Sequence, residues 1–326
     1  GGPPDRALYD RLGEDEVLTR DEKRAVVRRL LRDPRARAQS LRFASDWLSL
    51  DRLANLRPSE ERFPRWTAEV GDDMRAETLA FFDDVVWEQS LPLAELFSAP
   101  VTYLTPRLAE HYGLAELASS GSPPDSLQRV SLRDVPMRGG LLTQGSLLTM
   151  GGDEASMVTR GLYLLQDVLR GVIKAPPPGL DTTPVPASAG ESHRTIAEKR
   201  IANRSCGGCH EKFEPLAFGL EKFDGLGAYH DQDEFGNELR EDGEILIPGE
   251  AEAVSYGSIG ELMSFLAKSD RVQKTMTWKV TQFALGRPLT ASDVSKVDAI
   301  HAESLRHGGT YAATVEAIAA SSYISF

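Results

Sequence analysis

Cys206-Gly207-Gly208-Cys209-His210 constrains this chain more than any other stretch. Two thiols at this spacing, at the start of a helix, can each reach one vinyl group of a haem and form two thioether bonds. The histidine that follows then presents an imidazole to the iron. C-x-x-C-H is the attachment signature of c-type haem. These are the only 2 cysteines in the chain, so no thiol is spare.

Three other chemistries use paired cysteines. A structural zinc takes four ligands, and no second Cys/His pair lies at ligand spacing here. A thioredoxin-like dithiol follows a strand and opens a helix, whereas Thr195 to Arg204 carries a helical pattern. A Cys206–Cys209 disulfide would close a small, strained loop. One covalent haem c, held by Cys206, Cys209 and His210, is therefore the expectation. Zinc, dithiol and disulfide remain the competing readings.

At 326 residues the chain has room for two domains. Its 49 acidic and 37 basic residues leave a net charge of -12. Such a surface argues against nucleic acid and anionic membrane as partners and suits a basic redox protein. No apolar run reaches the length of a membrane span. The opening Gly1-Gly2-Pro3-Pro4-Asp5 is not a signal peptide. Covalent haem attachment takes place outside the bacterial cytoplasm. A periplasmic or extracellular location is expected, and the chain reads as processed or cut from a longer precursor.

The pattern along the chain is mainly α. Thr19 and Glu22 form a capping box, and Pro34 opens the next helix. A long helix is expected from about Asp72 to Ser90, with Met74, Thr78, Phe81, Phe82, Val85 and Val86 turned inward. Prolines break up residues 91–150, where Arg107 to Tyr112 is a short helix ended by Gly113. The Gly-rich run Arg138 to Gly145 lacks the Lys-Ser/Thr of a phosphate loop. A helix follows from about Ser156 to Gly171. These elements define an N-terminal helical domain, 1–174. The Pro-rich segment 175–191 reads as a linker. Residues 192–326 read as a cytochrome-c-like helical domain with a short hairpin or loop inserted at 229–250. Asp231, Asp233, Gly236 and Asp242 have the spacing of a calcium loop, but Phe235 stands at a ligand position and Asp replaces the final Glu. That weighs against calcium.

From about Glu14 onward the order of motifs resembles a family of large exported bacterial proteins. These are built from several domains of unknown function and end in a cytochrome-c-like module; they are abundant in planctomycetes and occur in myxobacteria. The matching stretches are Phe43 to Leu48, Leu108 to Gly113, Arg138 to Gln144, Val158 to Gly161, Pro176 to Pro178, Cys206 to His210, Leu220 to Asp224 and Phe283 to Arg287. Two departures stand out: Ala155-Ser156-Met157 where the family has Thr-Ser-Pro, and Phe213-Glu214-Pro215 where it has Met-Asp-Pro. The resemblance implies an exported haem protein, of which this chain is the C-terminal portion, with further domains upstream.

The face of the iron opposite His210 decides the function. A second strong ligand gives single-electron transfer; an open face gives a haem enzyme of peroxidase or oxygenase type. Met263 and Met276 lie at the spacing of a distal methionine, though both sit on apolar helical faces that core packing also explains. His111 is the third candidate, with a helix-end hydrogen bond as its plainer role. His193, His230, His301 and His307 read as linker-end, loop or surface residues. No Gly-x-Ser-x-Gly nucleophile or other triad emerges, and Asp72-Asp73 and Asp83-Asp84 read as solvated helix faces. Electron transfer to or from a larger exported assembly is the expectation. A haem enzyme, or a partner- or polysaccharide-binding module with a haem domain attached, is the alternative.

Overall fold

The computed structural model describes residues 5–12, 18–119, 121–179 and 182–324. The opening residues 1–4 and the pair 180–181 inside the Pro-rich segment lie outside that range. In chain order the helices are α1 (Arg6–Leu12), α2 (Arg20–Leu30), α3 (Pro34–Trp47), α4 (Ala68–Asp83), α5 (Pro106–His111), α6 (Gly145–Leu148), α7 (Met157–Tyr163), α8 (His193–Ala202), α9 (Gly207–His210), α10 (Ile259–Lys268), α11 (Asp270–Leu285), α12 (Val294–Arg306) and α13 (Tyr311–Ala319). The strands are β1 (Val101–Leu104), β2 (Gln128–Ser131), β3 (Gly243–Ile245) and β4 (Val254–Tyr256), in two antiparallel pairs. The protein is mainly α.

The chain forms two compact units that do not follow the expected division at 175–191. The first draws on 1–49, 79–96 and 272–326, and the second on 50–78 and 97–271. Both ends of the chain build the first unit, and residues on either side of the Pro-rich segment belong to the second.

In the first unit, the Thr19 hydroxyl accepts from the Glu22 amide while the Glu22 carboxylate accepts from the Thr19 amide, which fixes the start of α2. Asp33 caps α3, with Pro34 at its first position. The core is aromatic. Phe43 meets Phe82, Phe283 and Tyr311 at centroid distances of 6.2, 5.3 and 6.4 Å. The helix expected from about Asp72 to Ser90 runs from Ala68 to Glu88, its last turn, Asp84–Glu88, widened to a π-helix.

In the second unit, Leu53, Val70, Met74, Leu104, Leu108 and Tyr112 form an apolar core under the β1–β2 pair. That hairpin was not expected from the broken-up stretch 91–150. Two buried arginines tie the rest together. Arg138 donates to the Thr143 carbonyl at 2.9 Å and to the Gly227 carbonyl, and its guanidinium lies 4.1 Å from the Tyr112 ring centroid. Arg160 of α7 donates to the carbonyls of Leu148 (3.1 Å), Leu220 (3.0 Å), Phe223 (2.7 Å) and Asp224. A planar five-donor fork suits such convergence of carbonyls. Residues 229–250, expected as a short hairpin or loop, are mainly loop, with isolated bridges of Tyr229 to Phe223 and Gln232 to Glu238; β3, near their end, pairs with β4 beyond residue 250.

Candidate functional site

The pentapeptide sits at the end of a helical lead-in, as its flanking pattern requires. Ser192 caps α8 by accepting from the Thr195 amide. The chain leaves α8 at Asn203, whose carbonyl accepts from the amides of Cys206 (3.1 Å) and Gly207 (2.7 Å). The single turn α9 follows, closed by the His210 amide on the Cys206 carbonyl at 3.2 Å. Only glycine fits at 207, because a Cβ there would stand 2.1 Å from the Ile201 carbonyl oxygen; at 208 nothing lies within 4 Å. Both cysteines are free thiols, Cys206 half-buried and Cys209 exposed. The outer side of the turn is thus open and carries an unbonded thiol.

His210 is held from one side. Its Nδ1 lies 2.6 Å from Glu214 Oε1, and Glu214 is wholly buried. Arg200 of α8 donates to the same carboxylate, Nε to Oε1 at 2.7 Å and Nη2 to Oε2 at 3.2 Å. The Phe213 ring packs at 5.0 Å from the imidazole, centroid to centroid. A carboxylate only accepts, so the proton of this bond sits on Nδ1, which leaves Nε2 as the nitrogen that could face a metal. That is the tautomer a metal-bound histidine needs. The donor set fits a covalent haem: two free thiols and an oriented imidazole on one turn.

The three distal candidates have other surroundings. His111 Nε2 donates to the Leu226 carbonyl at 2.9 Å, and its ring packs edge-on against Trp66. Burial pushes this imidazole below its ordinary pKa, against the carbonyl bond and the nearby Asp224 charge. Met263 is buried on α10, its Cε near Gly139. Met276 is buried in the first unit, whereas His210 belongs to the second. The carboxylates of the calcium-like loop are engaged. Asp231 pairs with Lys222 at 2.9 Å, Asp242 with Arg240 at 2.6 Å, and Asp233 accepts from the amides of Phe235 and Asn237. Among the described residues no group of three or more His, Cys, Asp or Glu side chains is placed to hold a metal ion.

Sequence reasoning missed a cavity of about 470 Å³ in the second unit. His111, His193 and His230 line it, with Trp66, Phe63 and Asp224, and none of its lining residues belongs to the pentapeptide. Asp224 organises one wall, accepting from the amides of Leu226 (2.9 Å) and Ala228 (3.0 Å) and from His230 Nε2 (3.0 Å). Burial opposes its charge, but the His230 bond and those amides hold the carboxyl below its usual range. The same bond raises the His230 imidazole above its ordinary value. Phe63 and Trp66, at the two ends of a turn closed by the Trp66 amide on the Phe63 carbonyl, help to wall this space. Only the family-like stretches around His111 and Leu220 to Asp224 pointed here, and they carried no sign of convergence.

No curated protein and no solved structure matches the chain. Three family models match successive stretches: protein of unknown function (DUF1592) over residues 1–114, protein of unknown function (DUF1588) over 138–233, and protein of unknown function (DUF1585) over 254–323. The pentapeptide lies in the second stretch. Over these three stretches the chain is thus similar to families of unknown function, in keeping with a multidomain protein of that kind.

Proposed function

We propose that the protein is an exported c-type cytochrome that transfers single electrons through one covalently attached haem. The supporting observation is that two free thiols share a helical turn with a histidine whose Nδ1 is already bonded to a buried carboxylate. Cys206 and Cys209 would tether the group, and His210 would ligate through Nε2. The haem supplies a one-electron iron couple when bound. The chain's own part is to fix the ligand's tautomer and orientation through Glu214 and Arg200. It also leaves the Cys209 side open, which suits electron exchange with a partner at short range. The net charge of -12 suits a basic partner. Among the described residues no helix is long and apolar enough to cross a membrane.

Production in a bacterial host that attaches c-type haem tests this. The intact mass should exceed the bare polypeptide by one haem. The reduced protein should show sharp α and β bands and no reaction with carbon monoxide. A mass equal to the bare chain sinks the proposal. A high-spin form that binds cyanide and turns over peroxide replaces it with the haem-enzyme reading.

A further inference from the structure

We infer that Glu214 is a positioning residue for His210 that sets the electronic character of this ligand. Its buried carboxylate, clamped by Arg200, makes Nε2 a stronger donor and biases the haem iron toward its ferric state. The inference rests on the haem reading above.

The geometry is that of a built site. Glu214 follows His210 by four residues and opens the 3-10 helix Glu214–Leu220, with Pro215 beside it in the first turn. It has no exposed surface. A buried carboxylate without partners is costly, and here both oxygens are used. Oε1 takes His210 Nδ1–H at 2.6 Å and Arg200 Nε–H at 2.7 Å, while Oε2 takes Arg200 Nη2 at 3.2 Å. The backbone behind the carboxylate is held as well. Gly161 of α7 comes so close that a Cβ there would stand 2.2 Å from the Phe213 carbonyl oxygen and 3.2 Å from Glu214 Cα. The carboxylate is therefore fixed on both sides of the residue that carries it.

A histidine that gives Nδ1–H to a carboxylate is a more basic ligand at its other nitrogen than one bonded to a neutral acceptor. A stronger donor stabilises the more oxidised metal. Hydrogen bonding to the axial ligand is among the means by which a protein tunes a haem. With the Glu214 carboxyl group fixed between Arg200 and His210 Nδ1, the couple is drawn to low potential. The partner this chemistry calls for is a one-electron acceptor.

Glu214→Gln and Glu214→Asp test the inference in the full chain. In the haem-loaded protein, Glu214→Gln should shift the midpoint potential to a more positive value, with Glu214→Asp staying closer to the parent. Long-range proton–nitrogen NMR of haem-free protein reads the same bond without iron: His210 should carry its proton on Nδ1 in the parent and lose that preference in Glu214→Gln. Should Glu214→Gln fail to accumulate because Arg200 is left without an anion, Arg200→Met/Glu214→Gln removes the buried cation too and is read the same way. An unmoved potential in a folded, haem-loaded variant overturns the inference. So does a parent with the His210 proton on Nε2. A chain that takes up no haem defeats the reading beneath it and the electronic claim together; the tautomer then reports separately whether Glu214 holds His210.

Discussion

Glu77 is a carboxyl sealed in the second unit, 2% exposed. Tyr112 donates its hydroxyl to Oε2 at 2.7 Å, Thr102 donates to Oε1, and the same Tyr112 oxygen accepts from the Gly145 amide at 2.8 Å. Burial pushes the Glu77 pKa up to about 7, although both hydroxyls and the charge of Arg138 pull it down. The folded chain therefore holds this proton well above the ordinary carboxylate value of 4.5 at which the unfolded chain gives it up. Across that window the native state binds more protons, so this group's contribution to stability falls as pH rises and is lost through about 7. Denaturant titrations of the parent and of Glu77→Gln from pH 4 to pH 8 isolate the effect. The parent should lose on the order of 3 kcal/mol more than the variant over that range, since each pKa unit is worth about 1.4 kcal/mol. Parallel curves would show that the Glu77 carboxyl titrates alike in the folded and unfolded chain. The sequence marked Tyr112 and Arg138 through their motifs but gave no sign of Glu77, because its burial depends on a hairpin formed far away in the chain.

At the scale of elements, α7 lies hard against the 3-10 helix that carries Glu214. Ala at 161 would press its Cβ on the Phe213 carbonyl, a backbone atom that cannot swing aside. Gly161→Ala should cost about 1–3 kcal/mol in chemical denaturation, as overpacking does. It should also move the His210 ring resonances. Gly208→Ala is the control: the site is open and helical, so the substitution should be neutral or stabilising by up to about 1 kcal/mol. Equal losses in the two variants would mean that the close contact at 161 does not matter. Elements of this kind were legible wherever the signal was local. The Thr19 box, Pro34 and the Gly113 stop are read within one turn of the residues that cause them. The widened turns were not. Asp84–Glu88 and Leu164–Val168 are both π-helical, and each is followed by a non-glycine residue at positive φ, Ser90 and Arg170, both at 49°. Apolar periodicity places the end of such a helix but not the extra residue in its last turn. Nor could it pair β1 with β2, whose partners Leu104 and Gln128 are far apart along the chain.

For the whole molecule, what periodicity leaves open is which faces meet. The Pro-rich segment has every local mark of a domain boundary, and its described residues are largely exposed. Yet the first unit needs both termini, and in the second Arg160 reaches across the segment to the carbonyls of Leu220, Phe223 and Asp224. The Leu220 and Asp224 carbonyls also accept from the Phe223 and Gly227 amides, at 3.1 and 3.3 Å, but losing Arg160 removes its whole share of these buried bonds, and an unsatisfied buried polar group costs roughly 1–3 kcal/mol. Residues 192–326 expressed alone would lack α7, its arginine and the N-terminal helices of the first unit. This fragment should give the collapsed amide spectrum of an unfolded chain. The full chain cut once within 175–191 should behave otherwise. The exposed segment is cleavable without loss of any of these bonds, so the two pieces should co-elute under native conditions and separate only in denaturant. A fragment 192–326 that folds by itself, with dispersed resonances and a cooperative melt, would show that the linear division is right and that the units assembled from distant segments are not the ones that fold.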